Sequence, residues 1–133
     1  MVEASANERT ASCACGQLQA HCEGAPLSVS LCHCLECQKR TGSTFGIAAF
    51  FALDRVRIEG VSAVFERASD SGYPVVFQFC PRCGSTVSWY PMRKPEVVAV
   101  AVGAFADPRF PAPSKAVFAH HRHPWMTIAL EES

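Results

Sequence analysis

Short runs of alternating apolar and polar residues follow one another along most of the chain, and turn-forming residues separate them. The runs are rich in β-branched and aromatic residues, which favour pleated, half-buried strands. They predict strands at residues 17–23, 27–31, 44–51, 55–59, 64–68, 74–79, 86–90, 97–102 and 116–119. The predicted fold class is therefore mainly β.

One segment breaks this pattern with good helix formers. Residues 34–41 precede Gly42, a residue type that commonly ends a helix, so they predict a single short helical turn or two. Near the carboxyl end, four apolar side chains are predicted to close the core: Trp125, Met126, Ile128 and Leu130.

The length and composition favour one globular domain. The chain has 133 residues, of which 49% are hydrophobic. Residues 1–11 are polar and small, which predicts a flexible tail before a single domain at 12–133. No apolar run approaches the ~20 residues of a membrane span, and no secretory signal is visible, so we expect a cytoplasmic protein without a membrane partner.

Charge argues against nucleic acid as a partner. Twelve basic and twelve acidic side chains give a formal net charge of zero, and no Lys/Arg cluster is longer than a pair. Phosphate-backbone binding needs a concentrated basic face, which is missing here.

Cysteines carry the clearest chemical signal. Seven of the eight lie in three short clusters, formed by Cys13 and Cys15, by Cys32, Cys34 and Cys37, and by Cys80 and Cys83. In a reducing cytosol such clusters are more typical of metal ligands than of disulfides. A redox role for the central cluster would leave the other four unexplained. Cys22 stands alone in an alternating stretch and is predicted to be a core residue.

The last pair resembles a zinc knuckle. Pro81 follows the first ligand, and Gly84 supplies the backbone freedom that lets N–H groups approach the second sulfur. A knuckle provides only two of the four ligands that zinc prefers, so a distant pair must complete the site.

Two completions are consistent with the count. If Cys13 and Cys15 join Cys80 and Cys83, the site is closed and the central three cysteines form a second, open site. If the central cluster completes the knuckle, Cys13 and Cys15 are left as an orphan pair, so we favour the first division. Four protein ligands are typical of structural zinc and three of catalytic zinc, which points to an enzyme.

Three ordered motifs identify a family resemblance. Residues 13–16 (CACG), 32–43 (CHCLECQKRTGS) and 79–85 (FCPRCGS), together with 102–108 and 123–125, resemble the glutathione-dependent formaldehyde-activating enzyme family, which includes centromere protein V. The resemblance implies several short coiled antiparallel β-sheets assembled around a structural zinc on Cys13, Cys15, Cys80 and Cys83. It places a second zinc on Cys32, Cys34 and Cys37.

The implied activity is that of a carbon–sulfur lyase of the S-(hydroxymethyl)glutathione synthase type, with a small thiol and an aldehyde as partners. A thiol at the vacant position would become a thiolate near neutral pH and attack formaldehyde. Arg40, with Lys39, is a candidate for a glutathione carboxylate, and Gln38 or Ser43 for its backbone. His33 is expected to point away from the metal, and residues 120–123 (HHRH) to form a polar loop rather than a fourth ligand.

A non-catalytic zinc scaffold or ligand-binding module is the alternative function. The chain is short for a deep glutathione pocket, and a pocket shared within a homodimer would be one remedy.

Overall fold

Strands dominate the computed structural model, which describes residues 7–130. Within that range the strands are β1 (Glu8–Ser12), β2 (Gln19–Glu23), β3 (Ser28–Cys32), β4 (Gly46–Ala52), β5 (Val56–Glu59), β6 (Ala63–Arg67), β7 (Val75–Phe79), β8 (Thr86–Pro91), β9 (Val97–Ala101) and β10 (Lys115–Val117). The α-helix is α1 (Leu35–Thr41), and short 3₁₀ helices span Leu53–Arg55, Val102–Phe105 and Ala119–His121. No helix in the described part of the chain is long and apolar enough to cross a membrane.

The strands form two sheets. One has the order β1-β2-β5, and the other has the order β10-β3-β4-β9-β8-β7-β6. Neighbouring strands are antiparallel except for β10, which runs parallel to β3. The predicted mainly β class with one short helix is thus confirmed, and the parallel pair is its one departure from the antiparallel expectation among residues 7–130.

Each predicted strand has a counterpart among β2 to β10, but β1 was not predicted. Residues 8–11 belong to the predicted flexible tail, yet they pair with residues 20–23 of β2, and Ala11 is completely buried. The sequence of β1, ERTAS, is polar and has little intrinsic strand preference, so the pairing with β2 stabilises it rather than its own composition. The tail prediction is wrong for these residues, and residues 1–6 lie outside the described range.

The larger sheet buries both of its faces around β9. Val98 and Val100 face a core shared with the smaller sheet, where they meet Leu18 and Phe51. Ala99, on the opposite face, belongs to a second cluster. Such two-sided burial explains why β9 reads as a continuous apolar run, VVAVA.

That second face carries a row of aromatic rings, which we call the aromatic face. Phe65 on β6, Phe77 on β7 and Trp89 on β8 occupy successive registered positions. The rings of Phe77 and Trp89 lie 5.6 Å apart, centroid to centroid. This arrangement places an aromatic surface beside α1.

The carboxyl-terminal segment closes the core only in part. Met126 is buried, but Trp125 is 72% exposed and contacts His123 edge-on at 5.5 Å. The prediction that Trp125 packs in the core is wrong, because the preceding 3₁₀ helix and turn present its ring to the surface while Met126 turns inward.

The turn between β5 and β6 requires glycine at position 60. Gly60 has a φ of +104°, and an added Cβ would collide with the backbone oxygen of Gln17. We expect Gly60→Ala to lower the free energy of unfolding by about 3 kcal/mol, since steric overlap adds to the backbone strain. Gly72→Ala is the control, because Gly72 also has a positive φ of +87° but open space around it. We expect that change to cost about 1 kcal/mol. Equal urea midpoints for the two variants would contradict the assignment.

Candidate metal centres

The first centre joins the turns of two hairpins from different sheets. Cys13 and Cys15 lie in the β1–β2 turn of the smaller sheet, whereas Cys80 and Cys83 lie in the β7–β8 turn of the larger one. A ligand group assembled from these turns therefore ties the two sheets together. The structure brings together the closed set that the favoured division predicts.

The spacing of these four sulfurs suits a tetrahedral metal ion. All four Sγ atoms lie within 4.8 Å of one another. The Cys13–Cys15 pair is separated by 3.6 Å and the Cys15–Cys80 pair by 3.7 Å. A tetrahedron with metal–sulfur bonds of about 2.3 Å has sulfur–sulfur edges of about 3.8 Å. The residues present therefore fit a bound ion.

Backbone amides surround the sulfurs of this centre. The amides of Cys15, Leu18 and Arg82 donate to the sulfurs of Cys83, Cys13 and Cys80 at 3.4, 3.3 and 3.3 Å, respectively. Gly84 has a φ of +81°, as its place in the knuckle predicted, and Gly16 has a φ of +87° in the matching turn. Hydrogen bonds from N–H groups favour the thiolate form that a metal needs.

Two thiols of the four show opposite pKa shifts. The Ser85 hydroxyl and its amide hold the pKa of Cys83 at about 5. A backbone hydrogen bond at Gln17 lowers the pKa of Cys15, but desolvation and the neighbouring thiols outweigh it and raise the value to about 11. A metal ion bound at this centre would favour the thiolate form of Cys15.

The second centre lies at the corner between β3 and α1. Cys32 is the last residue of β3, Cys34 caps the helix and Cys37 lies in its first turns. The Cys34 sulfur accepts a hydrogen bond from the Cys37 amide at 3.3 Å, and Gly42 ends the helix in the left-handed conformation. These caps confirm the predicted short helix.

This centre offers three sulfurs and no fourth ligand from the described chain. The three Sγ atoms lie within 4.8 Å of one another and are half-buried, and no other Cys, His, Asp or Glu among residues 7–130 joins them. The contact between Cys37 and Cys32 lowers the pKa of Cys32 to about 5 and raises that of Cys37 far above its usual range. The group fits an ion that keeps one position free.

Comparison with known proteins decides the family. The model of the glutathione-dependent formaldehyde-activating enzyme family matches residues 8–121. The chain belongs to that family. A crystal structure of a Rhodobacter sphaeroides protein, solved as a structural genomics target, has a TM-score of 0.62 and 21% identity over 81% of this chain and 99% of its own. That likeness supports the fold. No curated protein matches the sequence.

In this family member, the Gln38 side chain forms hydrogen bonds with protein groups beside the second centre. Its Nε2 donates to the carbonyl oxygens of His33 and His121, at 2.9 and 3.2 Å, and its Oε1 accepts from His123 Nε2 at 2.8 Å. With both amide hydrogens engaged, Gln38 has no free donor for a substrate, so its predicted substrate contact is not supported. None of the histidines of residues 120–123 joins the cysteine group.

Arg40 and Ser43 do line an open cleft. The cleft has a volume of about 540 Å³ and is lined also by Cys83 of the four-cysteine centre, but not by Cys32, Cys34 or Cys37. The guanidinium of Arg40 lies 4.2 Å from the centroid of Trp89. Burial lowers the pKa of Arg40, and the adjacent Cys37 thiol opposes that shift. Arg40 thus lies between the three-cysteine centre and the cleft.

Cys22 stays outside both centres, as predicted. It is fully buried in the core between the sheets, and burial raises the pKa of its thiol to about 12. A neutral, inaccessible thiol of this kind acts as a small hydrophobic side chain.

Proposed function

We propose that this protein is a zinc-dependent carbon–sulfur lyase of the S-(hydroxymethyl)glutathione synthase type. It binds the thiol of glutathione, or of a similar molecule, at the three-cysteine centre and joins it to formaldehyde. The observation that carries the proposal is the division of seven cysteines into a convergent group of four and a convergent group of three. Family membership supplies the substrate pair.

Zinc is the proposed metal at both centres. Ligand sets made of sulfur at tetrahedral spacing suit zinc, and four protein ligands make a structural site whereas three leave a position for chemistry. We assign Cys13, Cys15, Cys80 and Cys83 to the structural ion. Zinc held by Cys32, Cys34 and Cys37 would favour the thiolate form of a substrate thiol near neutral pH.

The chain's own residues balance charge around that thiolate. Three cysteine thiolates with Zn²⁺ carry a net negative charge, and a substrate thiolate adds another. The Arg40 guanidinium beside Cys37 offsets part of it. The substrate sulfur then attacks the carbonyl carbon of formaldehyde, a carbon–sulfur bond forms, and the proton lost by the thiol returns to the former carbonyl oxygen as a hydroxyl.

The cleft that Arg40 and Ser43 line is large enough for the remainder of the thiol. Its volume of about 540 Å³ lies within the roughly 300–1,000 Å³ typical of small-molecule sites. We propose that Ser43, which is exposed there, donates to the peptide backbone of glutathione. One chain then provides the site, although a homodimer remains a prediction.

Formaldehyde exchange measures the proposed activity directly. We expect the metal-loaded protein to accelerate the interconversion of glutathione, formaldehyde and their adduct, followed by exchange NMR, and chelator-treated protein to lose the effect. If the metal-loaded protein binds glutathione but does not accelerate this interconversion, the result would favour the non-catalytic scaffold.

We also propose small-molecule partners only and a cytoplasmic location, consistent with unpaired cysteine thiols.

A further inference from the structure

A second pocket lies on the aromatic face beside α1. It has a volume of about 280 Å³, and Phe65, Phe77 and Phe79 form its apolar walls. Its charged contributors are mainly basic, and they come from two elements, α1 and β6. They are Lys39, Arg40 and Arg67, with Glu36 as the acidic exception.

Two of these basic groups lack a carboxylate partner. Within residues 7–130, no Asp or Glu oxygen lies within 4.0 Å of the guanidinium nitrogens of Arg40 or Arg67. Lys39 and Glu36, in contrast, pair with each other at 3.5 Å. In the described part of the chain the pocket therefore presents two guanidinium groups without a carboxylate partner, and Arg40 in addition lies beside the Cys37 thiol.

Among the described residues, Arg67 also lacks a hydrogen-bond acceptor for one of its nitrogen atoms. Its Nε is buried and has no hydrogen-bond partner in the described part of the chain. Its guanidinium lies over the ring of Phe77 at 5.1 Å, as that of Arg40 lies over Trp89. Aromatic contacts hold the planes of the two groups but satisfy none of their N–H donors. A buried donor without an acceptor is costly, and an anion held by the remaining N–H groups of the same guanidinium would offset part of that cost.

The pocket is connected to the three-cysteine centre through Arg40. A Cβ built on Gly46 would lie 2.8 Å from Arg40 Nη2 and 3.4 Å from Cys37 Cβ, so both side chains lie against the same glycine. Arg40 and Thr86 also line the larger cleft. Cys32, Cys34 and Cys37 do not themselves line either cavity, so Arg40 is the residue past which a molecule held at the cysteines would reach Arg67.

We propose that Arg67 and Arg40 form a carboxylate-recognition subsite that selects thiols bearing a carboxylate over neutral thiols. This inference rests on the proposed function, since it assigns the far end of the same substrate. The planar fork of a guanidinium matches a carboxylate in two parallel hydrogen bonds, which an ammonium does not. The buried ring of Phe77 lowers the polarity on one side of that contact, which strengthens it.

Calorimetric binding of two probes to the metal-loaded protein tests the subsite. The probes are S-methylglutathione, which keeps both carboxylates and has no free thiol, and glutathione diethyl ester, which keeps the thiol and has no carboxylate. We expect Arg67→Gln to weaken S-methylglutathione about tenfold or more and to leave the ester unchanged. Arg67→Lys should bind S-methylglutathione more tightly than Arg67→Gln but less tightly than the wild type. Arg93→Gln, which changes an exposed arginine outside the pocket, should bind both probes as the wild type does.

The outcomes separate this inference from the proposed function. If Arg67→Gln binds S-methylglutathione as tightly as the wild type does, the proposed subsite is overturned, whatever the change in binding of the ester. An equal loss for the ester also overturns it, because a general disturbance of the pocket would then explain both. If the ester fails to bind the wild type while S-methylglutathione binds and responds to Arg67→Gln, the subsite holds and thiol capture at the cysteines fails.

Discussion

Replacing Cys80 by serine is expected to unfold the protein or to leave it with little residual stability. Cys80 is completely buried, and its sulfur is 3.7 Å from that of Cys15 across the two turns. Structural zinc contributes about 10–16 kcal/mol in small zinc domains, whereas a whole domain is stable by only about 5–15 kcal/mol. Loss of even part of the metal free energy therefore removes most of the margin. Circular dichroism during thermal unfolding, with the variant purified in added zinc, measures the effect.

Cys22→Ser is the matched control for that experiment. Cys22 is equally buried but belongs to neither metal centre, so the same chemical change should cost only the burial of a hydroxyl, about 1–3 kcal/mol. A Cys80→Ser protein as stable as Cys22→Ser would show that the four-cysteine centre does not hold the sheets together.

Replacing Cys34 by serine is expected to abolish catalysis while the fold persists. Cys34 supplies one of three sulfurs to the open centre and also caps α1 through the Cys37 amide. Serine is a strong helix cap, so the local structure should survive the change. Removing a residue that only hydrogen-bonds a metal ligand already lowers metal affinity or activity about 10–100-fold. Loss of a ligand itself should therefore lower the rate of formaldehyde exchange at least ~100-fold.

Cys22→Ser serves here too, since it also removes one thiol and should keep full exchange activity. The thermal midpoint of Cys34→Ser should stay close to that of the wild type. Retention of exchange by Cys34→Ser would contradict the placement of chemistry at the three-cysteine centre.

Local patterns in the sequence predicted most elements of the fold. Most of strands β2 to β10 carry alternation or β-branched residues, and Gly42 marks the carboxyl end of α1. Ligand number favoured the division of the seven cysteines into four and three, because the other completion leaves Cys13 and Cys15 as an orphan pair. These features depend on neighbours in sequence, or on a count, and not on the tertiary arrangement.

Features set by distant contacts were missed. Strand β1 exists because β2 offers it hydrogen-bond partners, and the parallel pairing of β10 with β3 joins segments more than eighty residues apart. Gln38 was predicted to contact substrate, but its side-chain amide forms hydrogen bonds with His121 and His123 of the carboxyl-terminal segment, which the local sequence does not indicate. The sequence did not predict a role for Arg67, since nothing in the local sequence of β6 places it beside α1.

Metal content per chain, measured on wild type and Cys34→Ser purified under reducing conditions without chelator, tests the central claim most directly. Two centres, one closed and one open, predict close to two zinc ions per wild-type chain and one in the folded variant. One ion in both proteins would contradict the account, since the three-cysteine group would then hold no metal of its own.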